Sequence, residues 1–304
     1  MTAVQREGQV IGGSSWFVRY ANFVKLPHTL FALPFALLGM TLGSAIAPVS
    51  VRVVTWIVVA FVSARFAAMG FNRIADHGYD ARNPRTAARE LPAGTMTVRE
   101  ASAAVAAAAG LFVVAAGMLN PLCLALAPVA LAWVLLYSYT KRFTRWSHVA
   151  LGAGLAIAPV GGYLAVTGAW SEPWWMLVAL AAAVTCWTAG FDIIYSIQDI
   201  EVDRREGLHS LPSRVGPVRA LGIARTMHAA TIIALLVVAR AVHAGVLFHV
   251  GIAVAAALLA YEHALVARGR IQAAFFVVNF SLSAVLFAFV LLDRLYPIGA
   301  AWLR

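Results

Sequence analysis

Nine apolar blocks, each about 20 residues long, decide what this chain can become. They run approximately over 26–47, 52–71, 98–118, 121–140, 147–168, 173–194, 217–240, 244–267 and 271–293. Each is long enough as a helix to cross the hydrocarbon of a bilayer, where only internally hydrogen-bonded elements survive. A membrane barrel would show short segments alternating apolar and polar residues, and these blocks do not alternate. Composition agrees: 62% of residues are hydrophobic and 12% charged, against about a quarter charged in soluble domains. The expected fold is therefore all-α, a polytopic membrane protein with nine transmembrane helices. It forms one membrane domain over 1–304, with 1–25 as a cytoplasmic segment and 26–293 as the core. Residues 1–25 contain no apolar run of signal-peptide length, so the first block is expected to remain as an anchor. Proline and glycine punctuate the block ends at Pro48, Asn120–Pro121, Gly168 with Pro173, and Pro212 with Gly216 and Pro217.

The net charge of +10 could suggest nucleic acid, but its distribution points elsewhere. With the N-terminus inside, 17 of the 23 Lys and Arg residues fall in cytoplasmic segments and 4 on the opposite side, leaving Arg65 and Arg225 within spans. That asymmetry is the signature of membrane topology. It predicts an inner-membrane protein with a cytoplasmic N-terminus and a C-terminus on the opposite side, and no nucleic-acid partner. Cys123 and Cys186 both lie inside apolar blocks, which argues against a disulfide or a zinc site.

The acidic residues are concentrated. Nine of the 13 lie in 72–100 and 192–206, two loops on the same predicted side. In the first, Asn72, Asp76 and Asp80 are spaced by four, one helical face; Arg65 lies seven residues before Asn72 on that face, deeper in the membrane. In the second, Asp192, Asp199 and Asp203 are spaced seven and four apart, with Tyr195 sharing the Asp192 face. Carboxylates near a membrane are costly unless compensated, and a hard divalent cation is the natural compensation. Because magnesium normally takes one or two carboxylates and fills its shell with water and phosphate oxygens, two acidic faces suggest two ions clamping a polyphosphate. Ion-coupled transport is the competing reading from another class. It would place acids at mid-membrane in broken helices, whereas these stand at helix ends among arginines.

As a set, these features resemble the UbiA superfamily of intramembrane prenyltransferases. The stretch Asn72-Arg73-Ile74-Ala75-Asp76-His77-Gly78-Tyr79-Asp80 is similar to its first motif, with Arg73 replacing the usual first aspartate. Asp192 to Asp199, continuing to Asp203, resembles the second, and Tyr137-Ser138-Tyr139-Thr140-Lys141 resembles its YxxxK element. The segments Asn83–Gly94 and Arg205–Gly216 look most like the 4-hydroxybenzoate polyprenyltransferase branch and its futalosine-pathway menaquinone relatives.

The resemblance implies a central cavity open to the cytoplasmic side and Mg²⁺-dependent prenyl transfer to an aromatic acid, 4-hydroxybenzoate or a dihydroxynaphthoate, in ubiquinone or menaquinone synthesis. Two Mg²⁺ would be held by Asn72, Asp76, Asp80, Asp192, Asp199 and Asp203, and would bind a polyprenyl diphosphate. Asp76, Asp192 and Lys141 would carry catalysis. Lys141 and Arg142 would neutralise the departing diphosphate, and Arg65 would pair with the acceptor's carboxylate. Tyr139, Tyr195 and Trp187 are candidates to face an allylic cation, although ordinary packing is the commoner use of any one of these aromatic residues. Lys25 and His28 could line the same space. His77 and His209 flank the acids but are poor magnesium ligands. Other acceptors used in the superfamily are haem, a chlorophyll precursor or a glycerol-phosphate lipid.

Overall fold

The computed structural model describes residues 12, 13, 15–25, 32–274, 278–299 and 301. Among the described residues, nine helices of 11 residues or more make up the bundle: α1 (Leu33–Gly43), α2 (Val51–Ala75), α3 (Val98–Leu119), α4 (Pro121–Thr140), α5 (Ser147–Thr167), α6 (Trp175–Ser196), α7 (Pro217–Ala241), α8 (Val246–Ala267) and α9 (Asn279–Leu295). Short helices at Trp16–Phe23, His77–Arg82, Ile200–Arg205 and Leu211–Val215 gather at the charged end. Among the described residues, the seven helices from α2 to α8 are long and apolar enough to cross a membrane. Within those residues α1 and α9 are shorter, and each adjoins a stretch, 26–31 or 275–277, outside the described residues. His28 lies in the first of these. The chain is thus an all-helical, multi-pass membrane protein.

Helix limits follow local chemistry. Ser50 caps α2 by accepting from the Val53 N–H. Thr97 and Glu100 close a reciprocal capping box on α3, and Asn120 caps α4 with Pro121 as its first residue. These devices satisfy the first N–H groups of a helix, which have no carbonyl four residues behind them.

Packing sets the order of the helices. α1 lies against α5, α2 against α3 and α4, α6 between α5 and α7, and α9 between α8 and α1. The α1–α5 crossing is a backbone-to-backbone approach: a Cβ at Gly39 would run into the Pro159 carbonyl, and one at Gly162 into that of Ala36. Helices in lipid gain little from hiding apolar surface from each other, so close contact through small residues is what holds such a crossing together. The main core lies between α1, α5, α6, α7, α8 and α9, built around Leu38, Tyr163, Trp187, Leu235, Phe248 and Leu286. On the other side, α1 to α5 and an edge of α6 enclose an apolar cavity of about 530 Å³.

Candidate active site

The charged end brings three separate loops together through ion pairs. Asp199 accepts from Arg85 Nε at 3.1 Å, Arg85 Nη2 at 2.8 Å and Asn83 Nδ2 at 3.2 Å, joining the second acidic loop to the first. Arg82 Nε lies 2.6 Å from Glu206 and makes a second tie; this hydrogen bond holds the Glu206 carboxyl below the usual range. The loop after α4 enters through Lys141 Nζ, 2.7 Å from Asp203, and through the Lys141 carbonyl, which accepts from the His209 N–H at 2.7 Å. Asp80 is held by Arg89 at 2.7 and 2.8 Å. An arginine fork matches two carboxylate oxygens and fixes direction as well as charge.

The five aspartates therefore divide into two groups. The side chains of Asp80, Asp199 and Asp203 are 10%, 11% and 2% exposed, each against a cation. Asp76 and Asp192 remain open, at 31% and 27%. Asp76 follows the last residue of α2, accepts from Asn72 Nδ2 at 3.0 Å, and has Arg142 at 3.8 Å. Burial, with Asp80 beside it, pushes the Asp76 carboxyl up to about 6 against the pull of Lys141, Arg142 and Arg89. Asp192, near the end of α6, lies 2.6 Å from His148 Nδ1.

Below these acids stands the cavity. Arg65 and Tyr137 line it together with Thr185 and apolar residues such as Ile57, Phe61, Ala130 and Leu155. Arg65 Nε is buried without a hydrogen-bond partner. Tyr137 is within electrostatic reach of Arg65, Asp76 and Asp192, so it stands where cavity and acids meet. Leu126, Val129 and Trp133 of α4 also line the space and are accessible to solvent, so the cavity is open along α4.

The remaining candidates have settled elsewhere. Tyr139 carries the Arg142 guanidinium 4.6 Å over its ring and meets Phe71 edge-on. Tyr195 hydrogen-bonds Arg85 Nη1 at 3.2 Å beneath the same arginine. Trp187 is packed between Phe35 and Phe191 in the core. Arg73 is buried and turned from the acids toward the Phe23 carbonyl, 3.4 Å from its Nε. His209 pairs with Arg214. Sequence reasoning named Tyr137 only as the first residue of the YxxxK-like element, without a role, and did not name His148. The first carried a signal, standing one helical turn before Lys141; the second carried none, because its partner is 44 residues away.

Among the described residues, no three His, Cys, Asp or Glu side chains gather closely enough to hold a metal ion alone. The donor set still suits magnesium, which takes one or two carboxylates and completes its shell with water and phosphate oxygens. Asp76 and Asp192 offer open oxygen donors. The buried Asp203 Oδ2 has no hydrogen-bond partner, a state that costs about 1–3 kcal/mol unless water or a cation meets it.

Fold and site together define a membrane-embedded enzyme that handles a charged head at one end and an apolar body within. Residues 32–285 match the UbiA prenyltransferase family, and the chain belongs to it: it is a prenyltransferase. It is 30% identical over 279 residues, covering 90% of this chain and 89% of the relative, to a 4-hydroxybenzoate octaprenyltransferase of Alkalilimnicola ehrlichii. Its fold matches a UbiA homologue from Aeropyrum pernix with a TM-score of 0.82 and 35% identity, over 88% of this chain and 98% of that one. It also matches a UbiA homologue from Archaeoglobus fulgidus bound to GPP and Mg²⁺, with a TM-score of 0.65 and 22% identity, over 90% and 99% of the two chains.

Proposed function

We propose that the chain transfers a polyprenyl group from a polyprenyl diphosphate to an aromatic acid, 4-hydroxybenzoate or a dihydroxynaphthoate, in quinone synthesis at the inner membrane. The observation that carries this reading is Arg65, a guanidinium with an unpartnered buried Nε at the head of an apolar cavity. A cation near a membrane interior is costly, and an aromatic carboxylate offsets that cost while its ring suits the apolar walls. The cavity's volume is within the range of small-molecule pockets, and its opening along α4 leaves room for a longer tail. The relative's 4-hydroxybenzoate acceptor supports the choice of acid.

Asp76 and Asp192, with Asn72, would hold Mg²⁺ directly; Asp80, Asp199 and Asp203 fix Arg89, Arg85 and Lys141 around it and can reach a second ion through water. Bound Mg²⁺ supplies Lewis-acid neutralisation of the diphosphate. Lys141 and Arg142 stabilise the negative charge on the diphosphate as its bond to the allylic carbon breaks. Tyr137, which lines the cavity, presents its ring to the cationic carbon, a role for which the sequence offered Tyr139, Tyr195 and Trp187. Arg65 orients the acceptor by its carboxylate, the ring carbon bonds to the allylic carbon, and the displaced proton leaves. The basic loops at this end support a cytoplasmic mouth for the diphosphate, a cytoplasmic N-terminus and an outer C-terminus, with α1 and α9 completing nine spans.

Purified protein given geranyl diphosphate, 4-hydroxybenzoate and Mg²⁺ is expected to form the prenylated acid and to stop with EDTA. No product from any of several aromatic acids would overturn the proposal, and product only from a glycerol-phosphate acceptor would replace it.

A further inference from the structure

The geometry points to His148 as the positioning residue for Asp192: a neutral imidazole, locked in one tautomer by the Leu211 backbone N–H, that fixes the carboxylate's direction. The inference rests on the reading of Asp192 as a cation ligand. It begins with a helix end. Leu211 is the first residue of the Leu211–Val215 helix, capped by Ser210, so its N–H has no carbonyl within the helix to bond. Leu211 is also buried, at 2% exposure, so the N–H requires a local acceptor. That acceptor is His148 Nε2, at 3.2 Å.

A backbone N–H can only donate, so Nε2 must present its lone pair. The ring proton is then on Nδ1, where it donates to Asp192 Oδ2 at 2.6 Å. The tautomer is set by backbone, and the imidazole retains no freedom to reverse its polarity. His148 is 3% exposed, near the start of α5, and α5 and α6 are drawn together close by, where a Cβ at Gly152 would run into the Thr185 carbonyl. One oxygen of Asp192 is thus held, while the side chain as a whole stays 27% exposed. Ligating groups are commonly aimed by such a partner, whose loss costs about 10–100-fold in metal affinity. The inference also gives the 208–214 loop a function: through Leu211 it orients an acid on a helix it follows by many residues.

Two substitutions separate the two bonds. His148→Asn keeps an N–H donor at the Nδ1 position and loses the acceptor for Leu211. His148→Gln keeps an acceptor at the Nε2 position and loses the donor to Asp192. Mn²⁺ binding, followed by electron paramagnetic resonance in the presence of a non-hydrolysable geranyl diphosphate analogue, reads the effect without turnover. His148→Gln is expected to weaken Mn²⁺ about 10-fold or more, and His148→Asn to recover most of that loss. A purely structural role predicts that both variants lower the melting temperature alike and leave Mn²⁺ affinity unchanged in the folded fraction; that result overturns the inference. Asp192→Ala is the control: if it binds Mn²⁺ as the parent does, the underlying reading of Asp192 fails, whereas a weak Asp192→Ala beside a tight His148→Gln rejects His148 alone.

Discussion

The two sides of this bundle are made of similar apolar helices and are filled in opposite ways. Between α2 and α5 the interior is a cavity, and its buried guanidinium lacks a partner at Nε. Between α6 and α9 the interior is packed, and its polar groups face one another: His228 Nδ1 lies 3.1 Å from His263 Nε2 and 3.9 Å from Glu262, while Asn279 Nδ2 lies 3.5 Å from Glu262. Both arrangements place ionisable groups in low dielectric. The difference is that the guanidinium borders a cavity, whereas the groups of the cluster lie within reach of one another, even though Glu262 Oε2 and His263 Nδ1 are also buried without a hydrogen-bond partner. A polar group beside a cavity is prepared for a guest; polar groups within reach of one another join helices.

The comparison can be broken most sharply at the head of the hollow side. Asp192→Ala and Asp76→Ala are each expected to reduce turnover about 1,000-fold or more, equivalent to the several kcal/mol a bound cation supplies, with the helical circular dichroism signal retained. Either variant keeping substantial Mg²⁺-dependent activity would remove that acid from the site. Arg65→Ala comes next: the aromatic acid's KM should rise about 10–100-fold, the worth of a charged hydrogen bond, with a smaller change for the prenyl donor. An acceptor KM unchanged in steady-state kinetics would mean that the guanidinium merely snorkels.

A smaller effect sharpens the contrast through protons. Because the Asp76 carboxyl is raised to about 6, it is partly protonated near that pH before a cation arrives, and its raised value favours the folded protein as pH falls from about 6 toward the unfolded value. A cation needs the ionised form, so binding must expel the proton. Calorimetry of Mg²⁺ binding in buffers of different ionisation enthalpy should show release of about half a proton at pH 6 and almost none at pH 8. Equal release at both would assign the proton to another group. The smallest effect belongs to the packed side: Glu262→Gln should change kcat and both KM values less than about 3-fold, as expected of an isosteric change that leaves the reacting groups alone. Loss of activity with an unchanged melting temperature would show that this side participates in the reaction.

Much of the fold and of the acidic motifs was legible in the chain, and the limits are physical. The boundary between α3 and α4 could be read within a residue because Asn120 and Pro121 act locally. Asn72 and Asp76 share a face because helical periodicity requires it. What spacing could not reveal was which acids are already paired. Arg85 lies 114 residues from Asp199, and no local rule joins them. Likewise Tyr137 and Tyr139 differ only by orientation around α4, and a cavity is needed to tell which one faces it. The filled and hollow sides were equally unreadable, since hydropathy reports that a residue avoids water and not what it touches.

The ties between the loops have a consequence for synthesis. Arg82 and Arg85 appear 124 and 114 residues before Glu206 and Asp199. At about 5–20 residues per second, the ribosome leaves these arginines without those partners for roughly 6–25 s. During that interval the second loop does not yet neutralise their charge, and positive charge is the quantity that biases which way a nascent span enters the bilayer. Only when the second loop emerges does that charge tie the two acidic loops together. On the proposed reading the same side chains would serve in succession, first in threading the chain and then in closing the diphosphate site.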